Sequence, residues 1–216
     1  MWFWTFLSLG LAGILDLAVG TLVIHLLSTV HGYPLAWWQY VIGACLGASP
    51  DIDLFLAFFR KNASAHHEYL THRPVVGIPF AVAIGWVLGG DFWAIAAGIG
   101  VCWHYLHDTD GFLGLNGGGI AWCWPFSQKY WGVRNYRIVS QTPRADDGGG
   151  NNYEWFHKTY LSPTRRSIVE FMLTSMCAGY VAADLVSIIF GIALVGTFWC
   201  QLFFLWASYR FLTLLD

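Results

Sequence analysis

Long apolar stretches separated by short polar ones run along most of the chain. A helix needs about 20 mostly apolar residues to cross roughly 30 Å of membrane hydrocarbon, because each residue adds about 1.5 Å. By that measure the pattern predicts an all-α, polytopic integral membrane protein with about six transmembrane helices. The predicted helices are Phe3–Val30, Trp37–Phe59, Pro74–Gly90, Asp91–Asp108, Ser167–Phe190 and Gly191–Leu212.

The third and fourth predicted helices are short and are separated only by the break Gly89-Gly90-Asp91. They form either a tight helical hairpin or one irregular element. We treat 1–216 as a single membrane-embedded domain whose one sizeable polar segment is the loop 109–166. Aromatic side chains in this loop are typical of the headgroup level of a membrane. They are Trp122, Trp124, Phe126, Tyr130, Trp131 and Tyr136.

The composition supports the membrane interpretation. Hydrophobic residues make up 56% of the chain and charged residues only 11%, whereas soluble domains are about 25% charged. The net charge is −2 and no run of Lys or Arg occurs, so the expected partner is the lipid bilayer and not nucleic acid. The five cysteines follow no metal-binding or redox spacing and are expected to be buried thiols.

The positions of the basic residues predict the orientation in the membrane. All eleven Lys and Arg lie in the loops 60–73 and 109–166 or at Arg210. With six helices, every one of them falls on the same face as both termini, whereas a single crossing over 74–108 would divide them between the two faces. Because short cytoplasmic loops collect Lys and Arg, we expect both termini in the cytoplasm.

Histidine and aspartate residues gather in three places in this charge-poor chain. Ionisable residues in or beside membrane helices are costly, so such grouping indicates function. Imidazole and carboxylate groups together are the donors typical of a metal site. The three clusters are Asp51 and Asp53; His66, His67 and His72; and His104, His107, Asp108 and Asp110.

Spacing within the clusters indicates which side chains could bind the same ion and which could instead orient a ligand. His104 and Asp108 are four residues apart and share one face of a helix, where His107 could join them. Asp51 and Asp53 are two residues apart and point in different directions, so one would bind metal while the other orients a neighbouring ligand or a second ion. Taken one at a time, each residue has a structural explanation, such as a helix cap or a hydrogen-bonded core histidine.

Four motifs resemble, in the same order, those of a bacterial and archaeal family of predicted inner-membrane metal-dependent hydrolases. The motifs are Ser-Pro-Asp-Ile-Asp (49–53), His-Glu-Tyr-Leu-Thr-His (67–72), His-Tyr-Leu-His-Asp (104–108) and Gly-Ile-Ala-Trp-Cys-Trp-Pro-Phe-Ser (119–127). That family is remotely similar to zinc-dependent phospholipase C and to zinc-type single-strand nucleases, which are all-helical phosphodiesterases. By this analogy the resemblance implies a phospholipase C/nuclease-like helical metal site and phosphoester hydrolysis.

The resemblance also implies which residues hold and surround the metal. The implied ligands are His25, Asp51, His67, His72, His104 and Asp108, with Asp16 as the alternative to His25. The ion is expected to be zinc, with one or two bound. The candidates for catalysis or for orienting the ligands are Asp53, His67 and His107. Glu68 and Arg73 stand where the family has Arg and Ser.

Two further acids lie in apolar stretches outside these motifs. Glu170, near a predicted helix start, is expected to be a partner in capping that helix, and the sequence assigns no role to Asp184.

The sequence thus predicts a metal-dependent hydrolase in a bacterial or archaeal inner membrane. It would use metal-activated water to cleave a phosphoester or ester of a lipid or lipid-linked substrate, because no serine-elbow or phosphate-loop motif is present. The alternative is a non-catalytic membrane protein, either a metal or proton carrier or a regulatory scaffold, with a structural His/Asp cluster. The oligomeric state stays open.

Overall fold

The computed structural model describes residues 10–11, 13–53, 67, 69–109, 119–134, 137–141, 161, 165–185, 195–196 and 199. Within this part of the chain the protein is mostly helical, as predicted. In chain order the elements are α1 (Ile14–His31), α2 (Trp37–Gly47), a 3-10 turn (Ser49–Asp53), a second 3-10 turn (Leu70–His72), α3 (Pro74–Asp108), β1 (Tyr130–Arg134), β2 (Arg137–Gln141) and α4 (Arg165–Leu185).

The described residues do not support six membrane-crossing helices. In the described part of the chain, three helices are long and apolar enough to cross a membrane by length and composition: α1, α3 taken over its whole length, and the Ser167–Leu185 part of α4. Helix α2 has only 11 residues, about 16 Å of helix, because the chain leaves it at Ala48 for a 3-10 turn. The predicted span Trp37–Phe59 is therefore not a continuous helix. The predicted span Gly191–Leu212 lies almost entirely outside the described residues.

Helix α3 folds back on itself as a hairpin. Its backbone leaves the helical region at Gly89 and Gly90, and Gly90 has φ 73° and ψ −161°, a conformation that favours glycine. A Cβ on Gly98 would lie 2.9 Å from Cγ2 of Val82, although 16 residues of straight helix would separate them by about 24 Å. The two arms are therefore antiparallel, and both ends of α3 meet at one end of the bundle, which we call the hairpin base.

Glycines allow α1, α2 and α3 to pack closely. A Cβ on Gly47 would collide with the carbonyl oxygen of Asp16, and one on Gly43 would lie 2.5 Å from Cδ1 of Ile24. A Cβ on Gly100 would lie 3.4 Å from the backbone nitrogen of Gly47. Small residues at helix crossings are typical of membrane bundles, where close backbone approach provides the packing. Here the packing holds the start of α1, the turn after α2 and the hairpin base together.

The outer surface of the hairpin is apolar. Trp86, Val87 and Leu88, near its tip, are 61%, 74% and 80% exposed. Side chains of this type lie in hydrocarbon when a helix crosses a membrane. The surface is therefore suited to contact with lipid.

Two short strands follow the hairpin and were not predicted. β1 and β2 pair antiparallel, with Tyr130 opposite Gln141, so Tyr130 belongs to a sheet and not only to an aromatic belt. The indole of Trp122, in the segment before β1, donates a 2.9 Å hydrogen bond to Oγ1 of Thr109. This contact places the segment against the hairpin base.

None of the four described cysteines is buried, in contrast to the expectation of buried thiols, and Cys102 and Cys177 are partly exposed. Cys45 on α2 and Cys123 in the segment before β1 are both exposed. Cys45 lies on an apolar helix and faces outward, and Cys123 lies beside the hairpin base.

Candidate metal centre

Four of the predicted ligands meet at the hairpin base. Asp51 comes from the 3-10 turn after α2 and His72 from the turn before α3, while His104 and Asp108 lie in the last turns of α3. One donor atom from each of the four lies within 4.8 Å of all the others. These four residues, which we call the donor group, could hold a metal ion.

The spacing of the donor atoms matches the spacing around one tetrahedral ion. The Nε2 atoms of His72 and His104 are 3.4 Å apart, and Oδ1 of Asp51 lies 3.5 Å from each of them. Oδ2 of Asp108 lies 3.0 Å from Nε2 of His104 and 3.4 Å from that of His72. A tetrahedral ion with bonds of about 2.1 Å places its donors about 3.4 Å apart. The same atom of each residue takes part in all five of these pairs, and one oxygen each of Asp51 and Asp108 lies within the 4.8 Å that bounds the whole group.

The chemistry of the donor group also suits a divalent cation. Oδ2 of Asp108 is buried and, within the described part of the chain, makes no well-aligned hydrogen bond despite its close imidazole neighbours. Two carboxylate oxygens and two imidazole nitrogens present electron pairs to the same small volume, and a cation is the partner that satisfies all four.

Each histidine of the donor group has a buried carboxylate at its other ring nitrogen. Nδ1 of His72 lies 2.7 Å from Oδ2 of Asp53, which also accepts a hydrogen bond from the hydroxyl of Thr71. Nδ1 of His104 lies 3.2 Å from Oδ2 of Asp16, without a well-aligned hydrogen bond. Carboxylates in this position fix the tautomer and direct the Nε2 electron pair toward a metal. Asp51 and Asp53 therefore point to different partners, as their spacing predicted.

These contacts determine the protonation states of His72 and Asp51, the donors that the two 3-10 turns contribute. Burial works to lower the pKa of His72, but hydrogen bonds to the neighbouring carboxylates, first of all Asp108, raise it to about 10. Burial works to raise the pKa of Asp51, but the charge and hydrogen bond of His104 hold it well below its usual range. In the metal-free protein at neutral pH, His72 is therefore protonated and Asp51 ionised.

In the described part of the chain, the donor group is exposed on the side of its two carboxylates. The side chains of Asp51 and Asp108 are 22% and 14% exposed, whereas those of His72 and His104 are 0% and 1% exposed. His67 lies on the accessible side, with Nε2 3.5 Å from Oδ2 of Asp108 and 13% of its side chain exposed. The structure therefore brings His67 beside the predicted ligands. His66, Glu68 and Asp110 lie outside the described residues.

His107 points away from the donor group. Its Nδ1 lies 3.0 Å from Oδ1 of Asp16 and its Nε2 lies 3.4 Å from Oε1 of Glu170 on α4. Glu170 is completely buried and contacts a histidine of another helix, in contrast to the predicted capping role. In the sequence, Asp16 and Glu170 stand out because each is an acid in an apolar stretch. That observation does not indicate which residue each acid contacts.

The structure does not bring His25 to the donor group. Its Nε2 lies 3.1 Å from Oδ2 of Asp184, and its Nδ1 lies 3.1 Å from the hydroxyl of Tyr40. His25 follows Asp16 by nine residues on α1, about 13.5 Å along the helix axis. Of the two alternatives, Asp16 is the one near the donor group, where it contacts His104.

Arg73, which departs from the family motif, connects the hairpin base to β1. Its guanidinium donates a 2.7 Å hydrogen bond to the hydroxyl of Tyr130 and lies 5.0 Å from the centroid of that ring. Arg73 is 6% exposed, so a buried positive charge lies next in sequence to His72.

A family model described as YdjM inner membrane protein matches residues 12–195, which include the whole donor group. The chain belongs to the YdjM inner membrane protein family. Membership in the YdjM family places the protein in an inner membrane, in agreement with the apolar helices of spanning length among the described residues. No curated protein and no solved structure matches this YdjM-family chain.

Proposed function

We propose that this YdjM-family protein is a membrane-bound hydrolase that depends on a divalent metal, with Zn²⁺ as the ion. The observation that carries the proposal is the convergence of the donor group at the spacing of a tetrahedral site. A pair of imidazoles with carboxylates is a donor set that zinc accepts. The resemblance of the sequence motifs to metal-dependent hydrolases supports the reaction class by analogy.

The residues around the donor group have distinct roles in this proposal. An ion held by the donor group would supply Lewis acidity toward a phosphoryl or carbonyl oxygen and would activate water for attack. Asp53 and Asp16 hold the two ligand rings in place. His67, on the accessible side, is the group that we assign to accept a proton during hydrolysis. His107 contacts Asp16 and not the accessible side, so we assign it a supporting role.

The position of the donor group supports a lipid or lipid-linked substrate. The donor group lies where helices end, beside a hairpin whose outer surface is apolar. A phosphoester or ester at the headgroup level would reach the accessible side without leaving the membrane. Arg73 lies at this end of the bundle and contacts Tyr130, the neighbour of Lys129, which supports a cytoplasmic location for the hairpin base and both termini.

Metal content tests the site directly. We expect protein purified in detergent to carry bound metal, measured by elemental analysis, and we expect His104→Ala to lose it because two carboxylates and one imidazole bind less tightly. His31→Ala is the matched control, since His31 is an exposed histidine at the opposite end of α1 and should keep the metal. Equal metal in the wild-type protein and His104→Ala contradicts the proposal.

Hydrolysis is tested with phospholipid vesicles containing the reconstituted protein. We expect release of a water-soluble phosphorylated headgroup that stops when a chelator is added and returns with Zn²⁺. His67→Gln is expected to keep the metal but to lose most of this hydrolysis, because proton transfer commonly contributes about 10²- to 10⁴-fold to the rate. Unchanged hydrolysis in His67→Gln contradicts the role given to His67.

One observation favours a non-catalytic function as the second candidate. Four protein donors saturate a tetrahedral ion, and sites of that kind are commonly structural. A Co²⁺-loaded protein distinguishes the two functions, because its visible spectrum reports the coordination. A spectrum that changes on addition of phosphate supports an accessible coordination position and hydrolysis, whereas a spectrum insensitive to phosphate supports a structural metal site.

A further inference from the structure

Glu170 is a completely buried acid on α4. Its Oε1 lies 3.4 Å from Nε2 of His107, which is 6% exposed. A buried carboxylate is costly in a membrane helix, and such residues are retained where a partner or a function requires them. The contact with His107 indicates the residue through which Glu170 acts.

The contact continues from His107 to the donor group through one carboxylate. Nδ1 of His107 lies 3.0 and 3.1 Å from the two oxygens of Asp16. The indole of Trp103 donates a 2.9 Å hydrogen bond to Oδ1 of Asp16. Oδ2 of the same carboxylate lies 3.2 Å from Nδ1 of His104. A series of contacts therefore joins Glu170 on α4 to a ligand on α3 through Asp16 on α1.

The contact between Asp16 and His104 is the poorly aligned one in this series. It lies within reach of a hydrogen bond but is not well aligned, so the direction of the Asp16 carboxylate decides how well it holds the imidazole. His107 and Trp103 determine that direction, since both contact Oδ1 of Asp16. His107 is itself held at its far nitrogen by Glu170.

We propose that Glu170 is a positioning residue for the metal centre. Through His107 and Asp16, it orients the ring of His104 so that Nε2 faces the ion. This inference rests on the proposed function, because it requires a metal at the donor group. It adds α4 to a site whose four donors come only from the segments before and within α3.

The test compares metal affinity in wild-type protein, Glu170→Gln and Asp16→Asn, each purified in detergent and loaded with Co²⁺. Affinity is measured by competition with a chromophoric chelator, and the visible spectrum reports the ligand geometry. Because loss of a carboxylate that supports a ligand histidine typically weakens metal binding by about 10- to 100-fold, we expect that loss for Asp16→Asn. We expect a smaller loss, with a shifted Co²⁺ spectrum, for Glu170→Gln.

A double variant separates a connected series from two independent effects. If Glu170 acts through Asp16, adding Glu170→Gln to Asp16→Asn causes little further loss of affinity. If the two losses multiply, Glu170 does not act through Asp16 and the proposal is wrong. Asp184→Asn is the matched control, since Asp184 lies on the same helix but pairs with His25, and we expect it to leave the Co²⁺ spectrum unchanged.

The remaining outcomes are also decisive. If wild-type protein binds Co²⁺ and Glu170→Gln lowers only the unfolding temperature, with affinity and spectrum unchanged, Glu170 is structural and this inference is wrong while the proposed function stands. If wild-type protein binds no metal, the proposed function fails and this inference fails with it. Should Glu170→Gln not fold, Glu170→Asp keeps the charge, and its shorter side chain is expected to shift the same spectrum.

Discussion

His72 and His104 each use both ring nitrogens, one toward the donor group and one toward a buried carboxylate. The sequence predicted part of this arrangement, because the spacing of His104 and Asp108 places them on one helical face wherever the helix forms. It could not predict that Asp16 contacts His104, since 88 positions separate them and only the packing of α1 against α3 brings them together.

His25 shows the limit of a motif resemblance at the residue scale. A histidine followed by apolar residues fits the family pattern, but its distance along α1 decides whether it reaches the ligands. In the structure it pairs instead with Asp184 and Tyr40. A one-dimensional motif carries no information on where its helix crosses a neighbouring one.

The raised pKa of His72 leads to a prediction about protons. Metal binds the unprotonated imidazole, but His72 in the metal-free protein has a pKa of about 10 and carries a proton at neutral pH. Binding therefore releases that proton, and metal affinity is expected to rise with pH up to about 10. Calorimetric titration with Zn²⁺ at pH 7 in buffers of different ionisation enthalpy measures the release. A binding heat independent of the buffer contradicts the prediction.

At the scale of elements, two breaks in helical structure build the site. The sequence indicated the break in α3, because Gly89-Gly90 interrupts the apolar stretch 74–108 and leaves a short helix on each side. It did not indicate that α2 ends at Gly47, since hydropathy alone continues to Phe59. The apolar content of a segment predicts whether the segment is stable in lipid. It does not predict the residue at which a helix ends.

The strands β1 and β2 were missed for a related reason. Their aromatic and β-branched residues suit a strand and equally suit a membrane interface. In an otherwise helical chain the interface was the simpler interpretation. The pairing of Tyr130 with Gln141 depends on two segments meeting, which local propensity does not determine.

The glycine contact between α1 and α2 gives a prediction at this scale. A Cβ at Gly47 collides with the backbone of Asp16, so Gly47→Ala is expected to force the helices apart and to destabilise the protein by about 1–3 kcal/mol. It should also weaken metal binding, because Asp16 and Asp51 lie on either side of this contact. Unfolding in detergent and metal content measure the two effects.

Gly10→Ala is the control for that prediction. A Cβ at Gly10 meets nothing within 4 Å, so this substitution is expected to change neither stability nor metal content by a measurable amount. Equal behaviour of the two alanine variants would show that the close approach at Gly47 does not contribute to the site.

At the scale of the whole molecule, the described bundle has two chemically different ends. The hairpin base carries the donor group, Arg73 and β1. The opposite end carries the hairpin tip, where Phe92 lies 5.0 Å from the ring of Tyr33. Charge distribution predicted which end faces the cytoplasm, although the number of crossings that it assumed is not supported by the described residues.

Cysteine labelling tests this orientation. In a variant whose only cysteine is the exposed Cys123, a membrane-impermeant maleimide is expected to react in inverted vesicles and not in right-side-out vesicles. A second variant whose only cysteine is introduced by Asp91→Cys, at the hairpin tip, should show the opposite pattern. Reaction of Cys123 in right-side-out vesicles places the hairpin base outside the cytoplasm and contradicts the proposed orientation.

The hairpin also determines the order in which the site is made during synthesis. Asp108, the last of the four donors along the chain, stands at the midpoint of the 216 residues. The donor set is complete as soon as the second arm of the hairpin has been translated and has folded back on the first. Glu170 leaves the ribosome later, with α4. A nascent chain therefore has all four donors before it has Glu170, and under the proposed positioning role α4 adds its support to a donor group that is already assembled.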